Sequence, residues 1–129
     1  MQRVATMSPN RRKKVVPISV RNAVTNEKLV EFKAEFFKAL AHPIRIRILD
    51  ELRSKELTVS EIKERLCVEL PNVSQQLAIL KGKKLVIARK QGNNIYYSCI
   101  DSTVFKLLDV AKQVFNNQLV DIQQTLNNL

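Results

Sequence analysis

A mainly α-helical fold carrying one small β-hairpin is what this sequence predicts, on three observations. Apolar residues recur at spacings of three and four through most of the chain, the mark of helices with one buried face. Two short helical runs, Thr58 to Leu66 and "PNVSQQLAILKGKKL" from Pro71, are joined by only four residues, Cys67 to Leu70. One stretch breaks the helical period: Leu85 to Lys90 and Asn94 to Ile100 are rich in Val, Ile and Tyr and flank Gln-Gly-Asn, which reads as two strands and a tight turn.

Residues 1 to 25 carry Arg3, Arg11, Arg12, Lys13, Lys14 and Arg21 with no acid, and hold Pro9 and Pro17 without a sustained apolar period. They read as a basic flexible N-terminal arm, leaving 26–129 as the folded domain. From Asn26, Leu29, Phe32, Phe36, Phe37 and Leu40 keep helical spacing and predict a first helix. Pro43 suits the first turn of a second, where a missing N–H costs nothing. Ile44, Ile46, Ile48, Leu49 and Leu52 form its buried side, and Arg45, Arg47 and Arg53 lie opposite.

Thr58-Val-Ser-Glu61 fits a capping box, with a brief strand at Glu56 to Thr58 before it and a third helix running on to Leu66. In the fourth helix Val73, Leu77 and Leu80 keep the period and Gly82 offers a stop. The hairpin's glycine, Gly92, supplies the positive φ that a tight turn demands, and Asn is the next best residue there. Asp101-Ser102-Thr103 gives N-cap chemistry to a last helix reaching about Leu126. Its apolar positions, Val104, Leu108, Ala111, Phe115, Leu119, Ile122 and Leu126, step by fours and threes along one face.

With 129 residues the chain makes one domain plus extensions and a modest core, so self-association is expected. The long final stripe predicts its cover: the same helix of a second copy, helped by Phe32 and Phe36 of the first helix. A net charge of +10 on a chain that is 45% hydrophobic points to a folded protein with a polyanionic partner, nucleic acid before an anionic membrane surface. Absence of an 18-residue apolar run or a leader pattern predicts a soluble, cytoplasmic protein with no membrane partner. The two cysteines, Cys67 and Cys99, lack metal or disulfide spacing and read as free thiols. One histidine and scattered acids give no acid–base constellation, so neither an enzyme nor a cofactor is expected.

Helix, tight turn, helix and basic hairpin is the order of a winged helix-turn-helix, whose second helix presents its N-terminal residues to base edges in the major groove. The candidates there are Asn72, Ser74, Gln75 and Gln76, with Gln75 and Gln76 able to pair an adenine bidentately. A merely solvated polar face is the alternative. Lys81, Lys83, Lys84, Arg89 and Lys90 follow with no acid between them and suit phosphates, while Asn93 and Asn94 fall at the wing tip. Tyr96 and Tyr97 point to opposite faces, so one of them packs inward.

These blocks resemble the ArsR/SmtB transcriptional repressors: "LAHPIRIRIL" is similar to that family's second helix, "PNVSQQLAIL" to its recognition helix and "LVIARKQGNNIYYS" to its wing, over about residues 30 to 125. The resemblance implies a homodimeric winged-helix repressor that acts on an operator near its own promoter and is released by an inducer, and a dimer in turn predicts an imperfect palindrome as its operator. Family metal sites use a Glu-Leu-Cys-Val-Cys-Asp-Leu motif, where this chain has Glu56-Leu-Thr-Val-Ser-Glu-Ile62, and a last-helix set whose positions here are Asp101, Thr103, Val114 and Asn117. No metal site of either kind is therefore expected, and His42 reads as structural. Oxidation of Cys67 or Cys99 is the inducing event weighed in its place, beside a buried structural role for each. The competing functions are a DNA-coating architectural protein, a repressor with an atypical metal site, and a last helix that binds another protein.

Overall fold

The computed structural model describes residues 18–129, with side chains from Thr25 onward. Their elements run α1 (Ile18–Leu40), α2 (Pro43–Glu51), β1 (Leu57–Thr58), α3 (Val59–Leu66), α4 (Leu70–Gly82), β2 (Val86–Gln91), β3 (Asn94–Cys99) and α5 (Thr103–Asn127). The chain falls into two units, 1–35 and 36–129. In the first, the described part is the N-terminal stretch of α1, which exposes Leu29, Val30 and Phe32. Helix begins at Ile18 rather than Asn26, so residues 18–25, expected in the flexible arm, are helical. No Pro or Gly interrupts the sequence between Pro17 and Pro43, which leaves the backbone free to start one helix earlier than the apolar period suggests. The remainder of the expected arm lies outside the described residues.

In the second unit the core draws on every element. Ala39 and Leu40 close α1, Ile48 and Leu49 come from α2 and Leu52 from its C-cap, Leu57 from β1, Ile62 and Leu66 from α3, and Val73, Leu77 and Leu80 from α4. His42 caps α2, its Nδ1 accepting from Ile44 N at 3.1 Å, with Pro43 in the first turn where no donor is needed. The structural reading of His42 thus has a specific contact. Arg47 on α2 donates to Leu66 O at 2.7 Å and so satisfies a carbonyl at the C-terminus of α3.

The capping box is formed. Thr58 Oγ1 accepts from Glu61 N at 3.2 Å, and Glu61 Oε1 accepts from Thr58 N at 2.9 Å. These bonds from Thr58 hold the Glu61 carboxyl below the usual carboxylate range. A depressed folded pKa contributes stability above the unfolded value and loses it as pH falls through the folded one. Glu61→Gln keeps an acceptor for Thr58 N but no longer titrates. Its unfolding temperature should therefore fall less steeply than that of the unaltered protein below about pH 5. Equal slopes in thermal melts across that range would dismiss the cap as a pH-linked element.

The hairpin pairs Val86 with Cys99 through Gln91 with Asn94, leaving Gly92 and Asn93 as a two-residue turn. Gly92 has φ +61° and Asn93 is not left-handed, the pattern of a type II′ turn. Beyond the expected hairpin, β1 pairs antiparallel with β3, Leu57 opposite Tyr97, to give the order β1-β3-β2. Gly82 ends α4, but the left-handed stop comes two residues later at Lys84, φ 59°, where Leu85 N reaches back to Leu80 O at 2.9 Å. Asp101 Oδ1 accepts from Thr103 N at 2.9 Å and starts α5.

Candidate nucleic-acid interface

Helix α4 follows α3 after three connecting residues, Cys67 to Glu69, with Cys67 in the left-handed conformation that reverses the chain. Burial of Val73, Leu77 and Leu80 fixes which side of α4 faces outward. Ser74 and Gln75 are exposed on that side, and neither makes a side-chain hydrogen bond among the described residues. Ser74 joins the wing-tip residues Asn93 and Asn94, together with Thr58, Ser60 and Tyr97, around a cleft of about 330 Å³. The N-terminal face of α4 and the wing tip therefore converge. Ser60 was not among the residues singled out from sequence, because only the fold brings the start of α3 to this cleft.

Gln76 departs from expectation. It is 6% exposed, the one buried polar residue of the described chain, and faces the core side of α4. Its Oε1 accepts from Arg45 Nη1 at 3.0 Å and its Nε2 donates to Asn72 Oδ1 at 3.1 Å. Spent on both ends, its amide is not available to read an adenine. Arg45 itself is held by Ala39 O at 2.6 Å from Nε, so these bonds tie the C-terminus of α1, α2 and α4 together. Asn72 is half-buried between that network and the surface.

Among the basic residues, several arginines brace the fold, whereas Lys81, Lys84 and Lys90 stand apart from ion pairs among the described residues. Arg89, expected on phosphate, is bound to Glu56 through Nε at 3.2 Å and through Nη2, and lies 5.0 Å from the Tyr96 ring centre. The Glu56 bond raises the Arg89 pKa and lowers that of Glu56. The sequence run has no acid within it, yet the β1–β3 pairing carries Glu56 in from 33 residues away. Tyr96 is thus the tyrosine under Arg89, and Tyr97 packs on the core. Arg53 similarly bridges Asp50 at 3.0 Å and Asp109 on α5 at 2.9 Å. Lys81, Lys84 and Lys90 are exposed and form no ion pair among the described residues. Lys83, beside them, is exposed as well.

Along α5, Val104 proves to be core rather than interface: it is 7% exposed, because the first turn follows β3 directly and packs onto its own domain. Leu108 and Phe36 also pack against that core, half-buried. Farther out the stripe is bare, with Phe115 58%, Leu119 47% and Ile122 56% exposed and Ala111 beside them. Val110 and Val114, exposed on the same helix, were not part of the expected set.

A family described as a helix-turn-helix domain matches residues 40–87. The HTH-type transcriptional regulator Rv0081 of Mycobacterium tuberculosis is 41% identical over 105 residues, 81% of this chain and 92% of that protein. Its crystal structure superposes with a TM-score of 0.66 at 42% identity, covering 72% of this chain and 94% of that one. A transcriptional repressor SmtB homolog from Synechocystis is 43% identical over 74 residues, 57% of this chain and 56% of that protein. The homodimeric winged helix-turn-helix DNA-binding domain Mb0332 from Mycobacterium bovis, described as a possible ArsR-family transcriptional regulator, matches at TM-score 0.65 and 32% identity, over 73% of this chain and 87% of that one. The chain belongs to the ArsR/SmtB family.

Membership makes it a DNA-binding transcriptional regulator and not an enzyme. At the two family metal motifs compared above, this chain carries Thr58, Ser60, Thr103, Val114 and Asn117 where those motifs place thiolate, imidazole and carboxylate ligands, and Thr58 Oγ1 and Asp101 Oδ1 accept backbone N–H bonds at helix starts. Cys67 is exposed, 3.6 Å from Glu64 O, whereas burial pushes the Cys99 thiol up. Among the described residues no helix is long and apolar enough to cross a membrane.

Proposed function

We propose that two copies of this chain, paired through the exposed apolar faces of α1 and α5, bind an imperfectly palindromic operator and repress transcription from it. The observation that carries this reading is the convergence of Ser74 with the Asn93–Asn94 wing tip around one cleft, with Gln75 exposed next to Ser74 on α4 and Lys81, Lys84 and Lys90 exposed without an ion pair among the described residues. Amides and hydroxyls select bases in the groove, and the lysines neutralise phosphate without regard to sequence. Phe115, Leu119 and Ile122 on α5 supply exposed apolar surface for pairing, and Phe32 in the first unit exposes apolar surface of its own. The homodimeric domain from M. bovis supports that assembly.

Competition binding tests the reading against a DNA-coating role. An operator selected from random duplexes should outcompete unselected DNA by about a thousandfold or more, and parity between them would favour coating. Lys90→Ala should weaken selected and unselected DNA alike and flatten the log–log salt dependence by about 0.9 per lost phosphate contact. An unchanged salt slope would remove Lys90 from the interface.

Release belongs to an inducer other than a metal at the usual family positions. Cys67 is the thiol that suits an oxidative signal: it is exposed and sits in the turn that sets α4, while Cys99 is half-buried with a raised pKa. Attack of the Cys67 thiolate on hydrogen peroxide would give the sulfenic acid and hydroxide. Operator affinity should then fall on peroxide treatment and stay unchanged in Cys67→Ser. An equal fall in both would clear Cys67 of the role.

A further inference from the structure

The Arg45–Gln76–Asn72 relay has a direction, and it ends on the half-buried Asn72 in the first turn of α4. Arginine has only donors, so the Gln76 oxygen must turn toward Arg45 Nη1, 3.0 Å away. Gln76 is then left with its NH₂ toward α4's first turn, where it meets Asn72 Oδ1 at 3.1 Å. Asn72 must in turn point its own NH₂ away from the relay, and Nδ2 has no partner among the described residues. Burial locks the sequence of donors and acceptors: Gln76 is 6% exposed, and flipping either amide would set donor against donor.

We infer that Asn72 is a specificity-determining residue that reads a hydrogen-bond acceptor on one base of each half-site, guanine above thymine, with Arg45 and Gln76 as positioning residues that fix its polarity. This rests on the operator-binding reading above. Asn72 occupies the third residue of α4, in the N-terminal turn from which recognition helices address base edges. An asparagine with both amide atoms free pairs adenine, accepting from N6 and donating to N7. Here the acceptor is already taken, so adenine loses half of that contact. Guanine, with O6 and N7 both acceptors, matches a lone NH₂, thymine offers O4, and the cytosine amine opposes it.

The test reverses the relay with a near-isosteric change. In Gln76→Glu one carboxylate oxygen still accepts from Arg45, but the other can only accept as well, so Asn72 has to turn over and present Oδ1. Asn72→Asp reaches the same outward acceptor without touching the buried site. Selection from randomised duplexes should give guanine or thymine at one position per half-site for the unaltered protein. Both variants should change that position alone to cytosine or adenine, a shift of roughly five- to a hundredfold in relative affinity.

Circular dichroism and melting establish that Gln76→Glu is folded; should it not be, Asn72→Asp decides. An unchanged base at every position in the folded variants overturns the inference while leaving operator binding intact. A change in Asn72→Asp with none in folded Gln76→Glu overturns the relay, since Asn72 would then touch DNA without being oriented by it. Failure of the unaltered protein to enrich any motif overturns the operator reading, and this inference with it.

Discussion

The double substitution Leu119→Asp with Ile122→Asp is expected to yield a folded monomer whose operator affinity has dropped by roughly a hundredfold or more. Both side chains are about half exposed in the single chain, at 47% and 56%, and contribute nothing to its core. Their removal therefore leaves Ile48, Leu49, Leu77 and Leu80 packed as before. In a twofold pair the same patch meets its own copy, so each new carboxylate is desolvated near another of like charge. Separation of the copies converts a two-site engagement into single-site binding, which forfeits the effective-concentration gain of roughly two to four orders of magnitude. Sedimentation should show halved mass with helical circular dichroism retained. A dimer that survives both substitutions would place the pairing surface elsewhere.

Leu77→Ala should act on the fold, and Gln75→Ala, two residues away, on recognition. Leu77 is 1% exposed in the centre of α4, and its truncation removes buried methyl groups and leaves a cavity, at a cost of about 2–5 kcal/mol. In a domain of this size that is a large share of a total near 5–15 kcal/mol, so operator binding should fail through loss of folded protein. Gln75 is exposed with no side-chain hydrogen bond to lose among the described residues, and its substitution should alter stability by no more than about 0.5 kcal/mol. Discrimination between operator variants should instead drop by about 1–3 kcal/mol. Denaturant titrations and competition binding at fixed protomer concentration separate the two, because dimer stability depends on concentration. Loss of stability in Gln75→Ala, or of discrimination alone in Leu77→Ala, would invert the assigned faces of α4.

The helix order, the capping box at Thr58 and the glycine turn at Gly92 could be read from sequence because each is local. Period, cap and turn are all written within a few residues of one another. What escaped was non-local. Nothing beside Arg89 announces Glu56, which arrives only when β1 pairs with β3. Val104 lies on the stripe that suggests a dimer face, yet its position one turn after β3 drives it into its own domain.

Gln76 is a different case, since its place was legible. It stands three residues after Val73 and four before Leu80, on the buried side of the same period, and its polarity alone suggested otherwise. A buried amide on an apolar stripe calls for a partner, and Arg45 on the neighbouring helix is that partner. Ser74 and the wing asparagines meet in one cleft as their places in the helix-turn-helix and hairpin imply.

Hydroxyl-radical footprinting of the full chain on a selected operator, with stoichiometry measured on the same complex, tests the central claim most directly. Two chains held with their α4 helices about 34–36 Å apart should protect two patches roughly 10–10.5 base pairs apart on one face of the duplex. One protected patch with one chain bound, or even protection along the whole fragment, would contradict it.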